Sequence, residues 1–512
     1  METIIRKIDR ANIDKNIIEE AGKILKQGGL VAFPTETVYG LGANALDEEA
    51  AKKTYAAKGR PSDNPLIVHI ARTLDLDAVV EEITVQAMRL AEAFWPGPLT
   101  MIFRKSVRVP YGTTGGLNTV AVRMPDDEIA RELILAGGGY VSAPSANTSG
   151  RPSPTTAQHV AEDLSGKIEM ILDGGSVEIG VESTIVDMTV TPPMILRPGA
   201  VTKEMLEEVI GEVEVDATLL SDTSTQAPKA PGMKYRHYAP KAEMILVEGE
   251  TKEVIKAIKQ IAYDQVRMGE KVGIIATNES AGYYTAGIVK SIGSRENERT
   301  VARSLYRVLR EFDEEDVKYI YSEVFPEVGI GTAVMNRLGK AAGHKTIRAE
   351  AITCLQTYHR IVFVSNSDNC RAPIAAALLE RQPLLQEYQI TSRGMVVLFP
   401  EPLSPRAEEL LARQQIVLEG YETVAFSKDI LDEDTLVLTM EEVQKQKIRS
   451  EYPKFTEVYT LGEFTGGREE IPQVYGQPQE EYYRMFVQIE ESVKKLADKL
   501  NEEAKSKYQM YT

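Results

Sequence analysis

Cationic and polar side chains occur in closely spaced pairs in the first part of the chain. Lys58 and Arg60 lie two positions apart in KGRPSDNPL, and Ser145 and Asn147 lie two apart in APSANTSG. On an extended segment, Ser145 and Asn147 point to the same side and can offer a hydroxyl and an amide group to one ligand. Lysine provides a point charge and arginine a planar fork that suits phosphate oxygens. These residues therefore suit the binding of a phosphorylated substrate.

A second candidate site follows an apolar strand in the last third of the chain. The stretch IVFVSNSDNCRAPIAAALLE, residues 361–380, has the pattern of a strand, a polar loop and an Ala-rich helix. Arg371 follows Ser365 by six positions, as in a catalytic loop that holds a phosphate with backbone N–H groups and an arginine. Such chemistry needs a reactive thiol, whereas a serine stands at position 365.

Length, charge and cysteine content narrow the class of protein. A chain of 512 residues is too long for one core and predicts two to four domains. The net charge of −17 argues against a surface that coats nucleic acid. The two cysteines, Cys354 and Cys370, provide neither a disulfide framework nor a zinc cluster, which favours a reducing, cytoplasmic location. METIIRKIDRANID lacks an apolar signal core and no run approaches membrane-spanning length, so we expect no membrane association.

Apolar strand-like runs alternate with helical patterns along the chain, which predicts an α/β fold. The first block extends to about residue 210, and its strand candidates are GGLVAFPT, PLIVHIA, TMIFRK, NTVAVRMP, YVSAPSAN and ESTIVDM. Residues 211–240 lose this periodicity and collect Ser, Thr, Pro and Gly, which indicates a linker. Residues 241–346 form a second α/β block. Residues 357–512 form a third block, which ends in the helix candidate EEYYRMFVQIEESVKKLADKL.

Each motif of the first block, taken singly, has an ordinary structural explanation. Lys58 alone fits a solvated cation at a helix end, and His69 inside PLIVHIA fits a core histidine with its hydrogen bonds satisfied. GLGAN lacks both the GK[ST] ending of a Walker loop and the third glycine of a dinucleotide fingerprint.

Taken together and in this order, the motifs resemble the threonylcarbamoyl-AMP synthase family with its YrdC-like domain. The resemblance covers residues 10–210 and rests on PTETVYGLG, the K-x-R pair, the S-x-N pair, STIVD and LRPGA. It implies a twisted open sheet over residues 1–210. It also implies that L-threonine, bicarbonate or CO2, and ATP are combined into threonylcarbamoyl-AMP and pyrophosphate. A separate transferase complex of the family's pathway then uses the product to make threonylcarbamoyladenosine in tRNA.

The resemblance also implies roles for individual residues. The catalytic residues would be Lys58, Arg60, Ser145 and Asn147. The ATP-binding set would be these four together with Asn64, Thr119, Arg197, Tyr235 and His237. Threonine would be bound by Thr37, His69, Arg123 and Ser183, with Arg123 as the partner of its carboxylate. Magnesium is expected as a cofactor that the phosphates hold, without ligands from protein side chains.

The linker and the second block extend this resemblance. APGMKYRHYAP, residues 230–240, resembles the tail of the longer branch of the family, in which it folds over the mouth of the active site. Residues 211–240 are therefore expected to form a linker and lid. Residues 241–346 resemble the small Rossmann-like domain of that branch.

The third block, from Tyr358 on, resembles low-molecular-weight protein tyrosine phosphatases and their bacterial arginine-phosphatase relatives. Their loop reads C-x(4)-C-R-[ST] and belongs to a doubly wound parallel-sheet fold. Cys370 and Arg371 stand in register, whereas Ser365 replaces the nucleophile and Ala372 replaces the hydroxyl that supports the leaving thiolate. Gln473 in IPQVYG replaces the aspartic general acid, and an amide cannot protonate a leaving oxygen.

We therefore expect the third block to be inactive as a phosphatase. The backbone N–H groups of its loop and Arg371 would still suit a phosphate or phosphoresidue ligand, and the alternative is a purely structural role.

Two other functions compete with that of a synthase. An RNA-binding or regulatory protein with a phospho-sensing module is the alternative, against which the acidic net charge and the lack of an aromatic-basic platform argue. An enzyme of another carbamoylation pathway would need cysteine-rich zinc fingers, which two cysteines exclude.

Overall fold

The computed structural model describes residues 2–220, 238–353, 358–432, 434–467 and 469–511. The chain divides into two compact units, Met1–Ala351 and Ile352–Thr512. Both are built from sheets and helices that alternate along the sequence, so the predicted α/β class is confirmed.

The first unit begins with a large mixed sheet, whose strands are β1 (Ile4–Lys7), β2 (Val31–Phe33), β3 (Gly40–Asn44), β4 (Ile67–His69), β5 (Leu99–Arg104), β6 (Thr119–Arg123), β7 (Val141–Ser142), β8 (Met170–Asp173), β9 (Thr184–Asp187), β10 (Met194–Arg197) and β11 (Glu214–Val215). Their order across the sheet is β1-β8-β2-β3-β7-β4-β6-β5-β9-β10-β11. The helices of this part are α1 (Lys15–Lys26), α2 (Glu48–Lys58), α3 (Val85–Phe94), α4 (Tyr111–Thr114), α5 (Glu128–Ala136), α6 (Ala157–Leu164) and α7 (Lys203–Ile210).

The strand candidates from the sequence do not include β1, β3, β8, β10 and β11. GLGAN forms β3 although it is glycine-rich, because its backbone runs close to β2: a Cβ on Gly42 would lie 2.9 Å from a ring carbon of Phe33. The weak strand propensity of glycine is offset here by this close packing. Glu214 and Val215, within the segment that the sequence indicates to be a linker, pair with β10 and form an edge of the sheet.

A second, smaller sheet follows in the same unit. Its strands are β12 (Glu243–Glu248), β13 (Val272–Ala276), β14 (Ile288–Ser291), β15 (Tyr319–Glu323) and β16 (Thr346–Arg348), all parallel, in the order β14-β13-β15-β12-β16. The helices between them are α8 (Thr251–Arg267), α9 (Glu298–Glu314) and α10 (Gly331–Ala341). The short helix α11 (Ala349–Thr353) comes next in the chain. Parallel strands joined by helices give the layered arrangement expected of a Rossmann-like domain.

The second unit contains one parallel sheet of β17 (Arg360–Ser365), β18 (Gln389–Gly394), β19 (Thr435–Thr439) and β20 (Val458–Thr460), in the order β18-β17-β19-β20. Its helices are α12 (Arg371–Glu380), α13 (Pro405–Arg413), α14 (Glu442–Glu451), α15 (Leu461–Phe464) and α16 (Gln479–Tyr511). Ile361 and Phe363 contribute to one core, with α12 and α16, while Val362 and Val364 contribute to a second core, with α14. A core on each face is the mark of a doubly wound sheet, which confirms the predicted fold.

Within the described part of the chain, we find no helix that is both long enough and apolar enough to cross a membrane.

Candidate functional site

A pocket in the first unit brings together most of the site residues predicted from the sequence. Of the predicted set, its described walls contain Thr37, Lys58, Arg60, His69, Arg123, Ser145, Asn147, Ser183 and Arg197. Asn64 and Thr119 are not among the lining residues. Tyr235 and His237 lie outside the described residues.

The pocket residues are placed at the ends of elements of the large sheet. Lys58 is the last residue of α2, and Gly59 ends that helix in the left-handed conformation, with φ of 61°. His69 and Arg123 end the parallel neighbours β4 and β6 and are paired in register. Because parallel strands end at the same edge of a sheet, side chains separated by more than 50 sequence positions meet there.

The ammonium group of Lys58 is buried and binds the S-x-N segment on the other side of the pocket. It donates to the backbone carbonyl oxygens of Ser145 and Asn147, and Asn147 Oδ1 lies 3.5 Å away. Burial, with the neighbouring charge of Arg60, holds the pKa of Lys58 well below its usual value. Besides the role toward ATP that the resemblance implies, this ammonium group therefore also holds the S-x-N segment.

The amide of Asn147 is likewise engaged within the protein. Its Nδ2 donates to the carbonyl oxygens of Thr148, at 2.8 Å, and Arg151, at 2.9 Å. The resemblance implies that this amide binds the nucleotide, whereas in the structure it closes the turn that follows Ser145. Buried amide groups require such partners.

The guanidinium of Arg60 is oriented by Asn64. Arg60 Nη2 donates to Asn64 Oδ1 at 2.5 Å, and Arg60 Nε donates to Asn64 O at 3.2 Å. Burial lowers the pKa of Arg60 to about 10. Asn64, which the resemblance places along ATP, therefore contacts the arginine that lines the pocket and is not itself in the lining.

The threonine end of the predicted site contains an ion pair that the sequence analysis missed. Arg123 Nη1 donates to Thr37 Oγ1 at 3.0 Å, and Arg123 Nη2 lies 2.6 Å from Glu36 Oε1. The orientation of the second contact is that of an ion pair without an aligned hydrogen bond. A carboxylate thus already accompanies the guanidinium that we expected to meet the carboxylate of threonine.

His69 is buried next to Arg123. Its Nδ1 lies 3.1 Å from Ile67 O, and its ring meets Phe33 edge-on. Burial, with the neighbouring charge of Arg123, lowers the pKa of His69 to about 3. At neutral pH the imidazole can donate or accept a hydrogen bond but contributes no charge.

Ser183 and Arg197 form the third wall. Arg197 Nε donates to Ser183 O at 3.0 Å, and Arg197 Nη2 lies 3.2 Å from Ser183 Oγ. Ser183 Oγ also lies 2.8 Å from Thr100 Oγ1. Burial lowers the pKa of Arg197.

Cations predominate in the described lining. Besides Lys58 and Arg60 it includes Arg123, Arg151 and Arg197, against one carboxylate, that of Glu182. Cationic groups held in a partly desolvated cavity favour an anionic ligand.

Residues of the second block contact the pocket walls. These contacts were not predicted from the sequence. Arg310 donates to the carboxylate of Asp163, while Tyr306 and Arg337 donate to that of Glu182. In the sequence, Tyr306 and Arg310 look like ordinary positions of an amphipathic helix four residues apart. Tyr238, at the end of the KYRHYAP motif that the sequence predicts to meet the nucleotide or its phosphates, also lines the pocket.

The phosphatase-like loop lies in the second unit, between β17 and α12. Arg371, its arginine, is buried and already paired: its Nη1 lies 2.9 Å from Glu441 Oε1 and 2.7 Å from Ile471 O, and its Nη2 donates to Gln473 Oε1. Ala372 is fully buried, and burial raises the pKa of the Cys370 thiol. In the described part of the chain, no cluster of three His, Cys, Asp or Glu side chains is arranged to hold a metal ion.

Three family matches cover most of the chain. Residues 23–199 match the Sua5/YciO/YrdC family, described as "Telomere recombination". Residues 201–343 match the family described as "Threonylcarbamoyl-AMP synthase, C-terminal domain". Residues 360–506 match the family described as "Low molecular weight phosphotyrosine protein phosphatase".

Individual relatives match about two thirds of the chain. Threonylcarbamoyl-AMP synthase of Pyrococcus abyssi is 50% identical over 346 residues, which cover 68% of this chain and 99% of that protein. Threonylcarbamoyl-AMP synthase of Bacillus subtilis is 50% identical over 332 residues, 65% of this chain and 94% of that protein. The crystal structure of P. abyssi Sua5 complexed with L-threonine is 49% identical, covers 68% of this chain and 99% of that chain, and superposes with a TM-score of 0.65.

With these relatives matched over nearly their full length, the chain belongs to the threonylcarbamoyl-AMP synthase family, and it carries in addition a C-terminal domain of the low-molecular-weight phosphotyrosine phosphatase family.

Proposed function

We propose that this protein is an L-threonylcarbamoyladenylate synthase, a nucleotidyltransferase that forms threonylcarbamoyl-AMP and pyrophosphate from L-threonine, bicarbonate or CO2, and ATP. The observation that carries the proposal is the cationic pocket in which Lys58, Arg60 and Arg197 meet the S-x-N segment. P. abyssi Sua5 was crystallised in complex with L-threonine, and the same amino acid suits a pocket with Arg123 in its wall.

The chemistry needs little from a protein base. The uncharged amine of threonine adds to CO2 and releases one proton to solvent, which gives an anionic carbamate. An oxygen of this carbamate attacks the α-phosphorus of ATP. The bond between that phosphorus and the oxygen that bridges to the β-phosphorus breaks, and pyrophosphate leaves with the electron pair. The protein then has to align carbamate and triphosphate and to stabilise the negative charge that builds up on phosphorus and on the leaving group.

The pocket residues suit these tasks. The guanidinium groups of the half-buried Arg60 and the buried Arg197 can meet phosphate oxygens in two directions. Lys58 adds charge and, through its bonds to the carbonyl oxygens of Ser145 and Asn147, keeps the opposite wall in place. Arg123 is the group for the threonine carboxylate, and the neutral His69 can contact the amino acid without adding charge. We expect Mg2+ to enter with the phosphates of ATP, whose oxygens it prefers.

The proposed product, threonylcarbamoyl-AMP, carries an activated acyl group that must be transferred to an acceptor. We propose that a separate transferase complex uses it to make threonylcarbamoyladenosine in tRNA. With two cysteines in the chain, we expect this chemistry to take place in the reducing cytoplasm.

Incubation of the full chain with threonine, bicarbonate, MgCl2 and ATP tests the proposal. Pyrophosphate release should depend on threonine, and mass spectrometry should detect the carbamoylated adenylate. A chain that releases no pyrophosphate with threonine but shifts tRNA in a salt-dependent gel assay would instead support the alternative, an RNA-binding regulator.

For the second unit we propose a domain without phosphatase activity. Ser365 has no thiolate chemistry, and Gln473 cannot act as a general acid. The proposed phosphate or phosphoresidue ligand would have to displace Glu441 or Gln473 from Arg371, because both contact its guanidinium. Phosphate binding at this loop is therefore expected to be weak in the unmodified protein.

A further inference from the structure

We propose that Arg337, which belongs to the second block and lies outside the pocket lining, is a positioning residue that holds Ser183 and Arg197 in place for the substrates. The inference rests on the proposed function, because it assigns these two residues to threonine and ATP. It gives the second block a direct part in the reaction of the first.

One guanidinium connects two segments of the pocket wall. Arg337 lies in α10 and is fully buried. Its Nε donates to Glu182 Oε2 at 3.1 Å and its Nη2 to Glu182 O at 3.4 Å, while its Nη1 donates to Pro198 O. Glu182 immediately precedes Ser183, and Pro198 immediately follows Arg197. The planar fork of arginine can make these contacts at once, which a lysine cannot.

The two segments also pack directly on one another. A Cβ on Gly199 would lie 2.4 Å from Thr184 N and 2.8 Å from Glu182 O, so the backbones approach as closely as glycine permits. Ser183 and Arg197 are hydrogen-bonded across this contact. A shift of either backbone segment would therefore move both substrate-facing groups together.

Arg337 also neutralises the negative charge of Glu182. This buried carboxylate lines the pocket and accepts hydrogen bonds from Ser153 Oγ at 2.5 Å and from Tyr306 OH at 2.8 Å. Arg337 forms an ion pair with this carboxylate, with Nε 3.1 Å from Oε2. Without Arg337, the carboxylate would attract Arg197, another buried cation of this wall, away from the phosphates. Arg337 thus offsets a negative charge that would otherwise compete with an anionic substrate for Arg197.

A third contact links the same cluster to the end of the linker. The ring of Tyr306 stacks on that of Tyr238 with 5.3 Å between centroids, and the Arg337 guanidinium lies 6.0 Å from the Tyr238 centroid. Tyr238 itself lines the pocket. Aromatic stacking and a cation near the ring fix the position of this residue.

Steady-state kinetics of the full chain test the proposal. We compare the wild type with Arg337→Lys and Arg337→Met, varying threonine and ATP separately and measuring pyrophosphate. Loss of positioning should raise KM for both substrates, by about tenfold in Arg337→Lys. A merely structural role would lower the folded fraction, and hence kcat, with both KM values unchanged. Arg307→Met, in an exposed ion pair on α9 of the same block, is the control and should behave as the wild type.

Calorimetric titration of threonine gives a second readout that does not need turnover. Weaker threonine binding by Arg337→Lys than by the wild type supports the proposal even if Arg337→Met does not fold. Wild-type KM values and wild-type threonine affinity in Arg337→Lys would overturn it. Absence of threonine-dependent pyrophosphate release in the wild type would overturn the proposed function instead, and the titration would still decide the role of Arg337 in threonine binding.

Discussion

Arg310 donates from both of its terminal nitrogens to the carboxylate of Asp163, at 3.1 Å and 3.0 Å, and both side chains are almost completely buried. Asp163 also accepts a hydrogen bond from Thr148 N, in the turn that Asn147 closes. Arg310 further donates to Pro152 O at 2.7 Å. The second block therefore supports the S-x-N wall of the pocket through this pair.

Removal of this support should loosen the wall. Arg310→Met removes a positively charged partner from the buried carboxylate of Asp163. Removing one partner of a buried ion pair usually lowers the free energy of unfolding by about 3–5 kcal/mol, and we expect a loss of this size. Denaturant unfolding and hydrogen exchange of the peptide that contains residues 145–153 measure the effect. Arg307→Met, which breaks an exposed pair, should cost at most about 1 kcal/mol. Equal exchange of this peptide in both variants would show that Arg310 does not stabilise the wall.

The proposed synthase activity should depend on Lys58 and Arg60. Lys58→Ala and Arg60→Ala each remove a positive group from the pocket lining, and we expect threonine-dependent pyrophosphate release to fall by at least about 100-fold. Lys52→Ala, on the exposed face of the same helix, should retain full activity. Ser365→Ala, in the other unit, should also retain it. Activity near the wild-type level in both pocket variants would argue against phosphate binding by this pair.

Binding of ATP should be linked to uptake of a proton. The pKa of Lys58 is held well below its usual value by burial and by Arg60, so the ammonium loses its proton more readily before ATP binds. A triphosphate nearby favours the charged form and raises that pKa. Affinity for ATP should therefore decrease as pH rises, because the deprotonated amine must first regain its proton.

Calorimetry in buffers of different ionisation enthalpy measures this uptake directly. The wild type should take up protons on binding a non-hydrolysable ATP analogue at alkaline pH. Lys58→Met should show a smaller uptake. Identical proton uptake in the two proteins would assign the linkage to another group.

The acidic neighbour of Arg371 should control anion binding in the second unit. Glu441→Gln removes a charge that lies 2.9 Å from the guanidinium, and we expect phosphate affinity to rise by at least about tenfold, or ~1.4 kcal/mol. Isothermal titration of the full chain with inorganic phosphate measures the change. Glu442→Gln, at the next position and paired with Lys445, is the matched control.

Arg371→Met in the Glu441→Gln background separates this site from the pocket of the first unit. It should abolish the gain in phosphate affinity. A gain that survives loss of Arg371, or no gain at all in Glu441→Gln, would contradict the assignment of Glu441 as the group that competes with phosphate.

The pocket residues were predictable because their motifs, taken together and in order, resemble one family. The pairs Lys58 with Arg60 and Ser145 with Asn147 are visible as short motifs at element ends, where ligand groups often lie, but neither pair alone indicates a shared pocket. The bonds of Lys58 to the S-x-N wall join residues 87 and 89 positions apart, which no local pattern encodes.

The contacts of the second block with the pocket walls could not be predicted from the sequence for a different reason. Arg310 and Arg337 lie on amphipathic helices, where an arginine usually indicates a solvated face. Their burial follows only from their partners Asp163 and Glu182, which lie about 150 positions earlier in the chain. Glu36 was missed similarly, because its pairing with Arg123 depends on the register of distant strands.

A crystal structure of the full chain with a non-hydrolysable ATP analogue and L-threonine would show whether this pocket binds both substrates. We expect the triphosphate to contact Lys58, Arg60 and Arg197. We expect the threonine carboxylate to contact Arg123, with the carbamate-forming amine facing the α-phosphorus. A triphosphate bound elsewhere on the molecule, with these side chains unchanged and free of ligand contacts, would contradict these expectations.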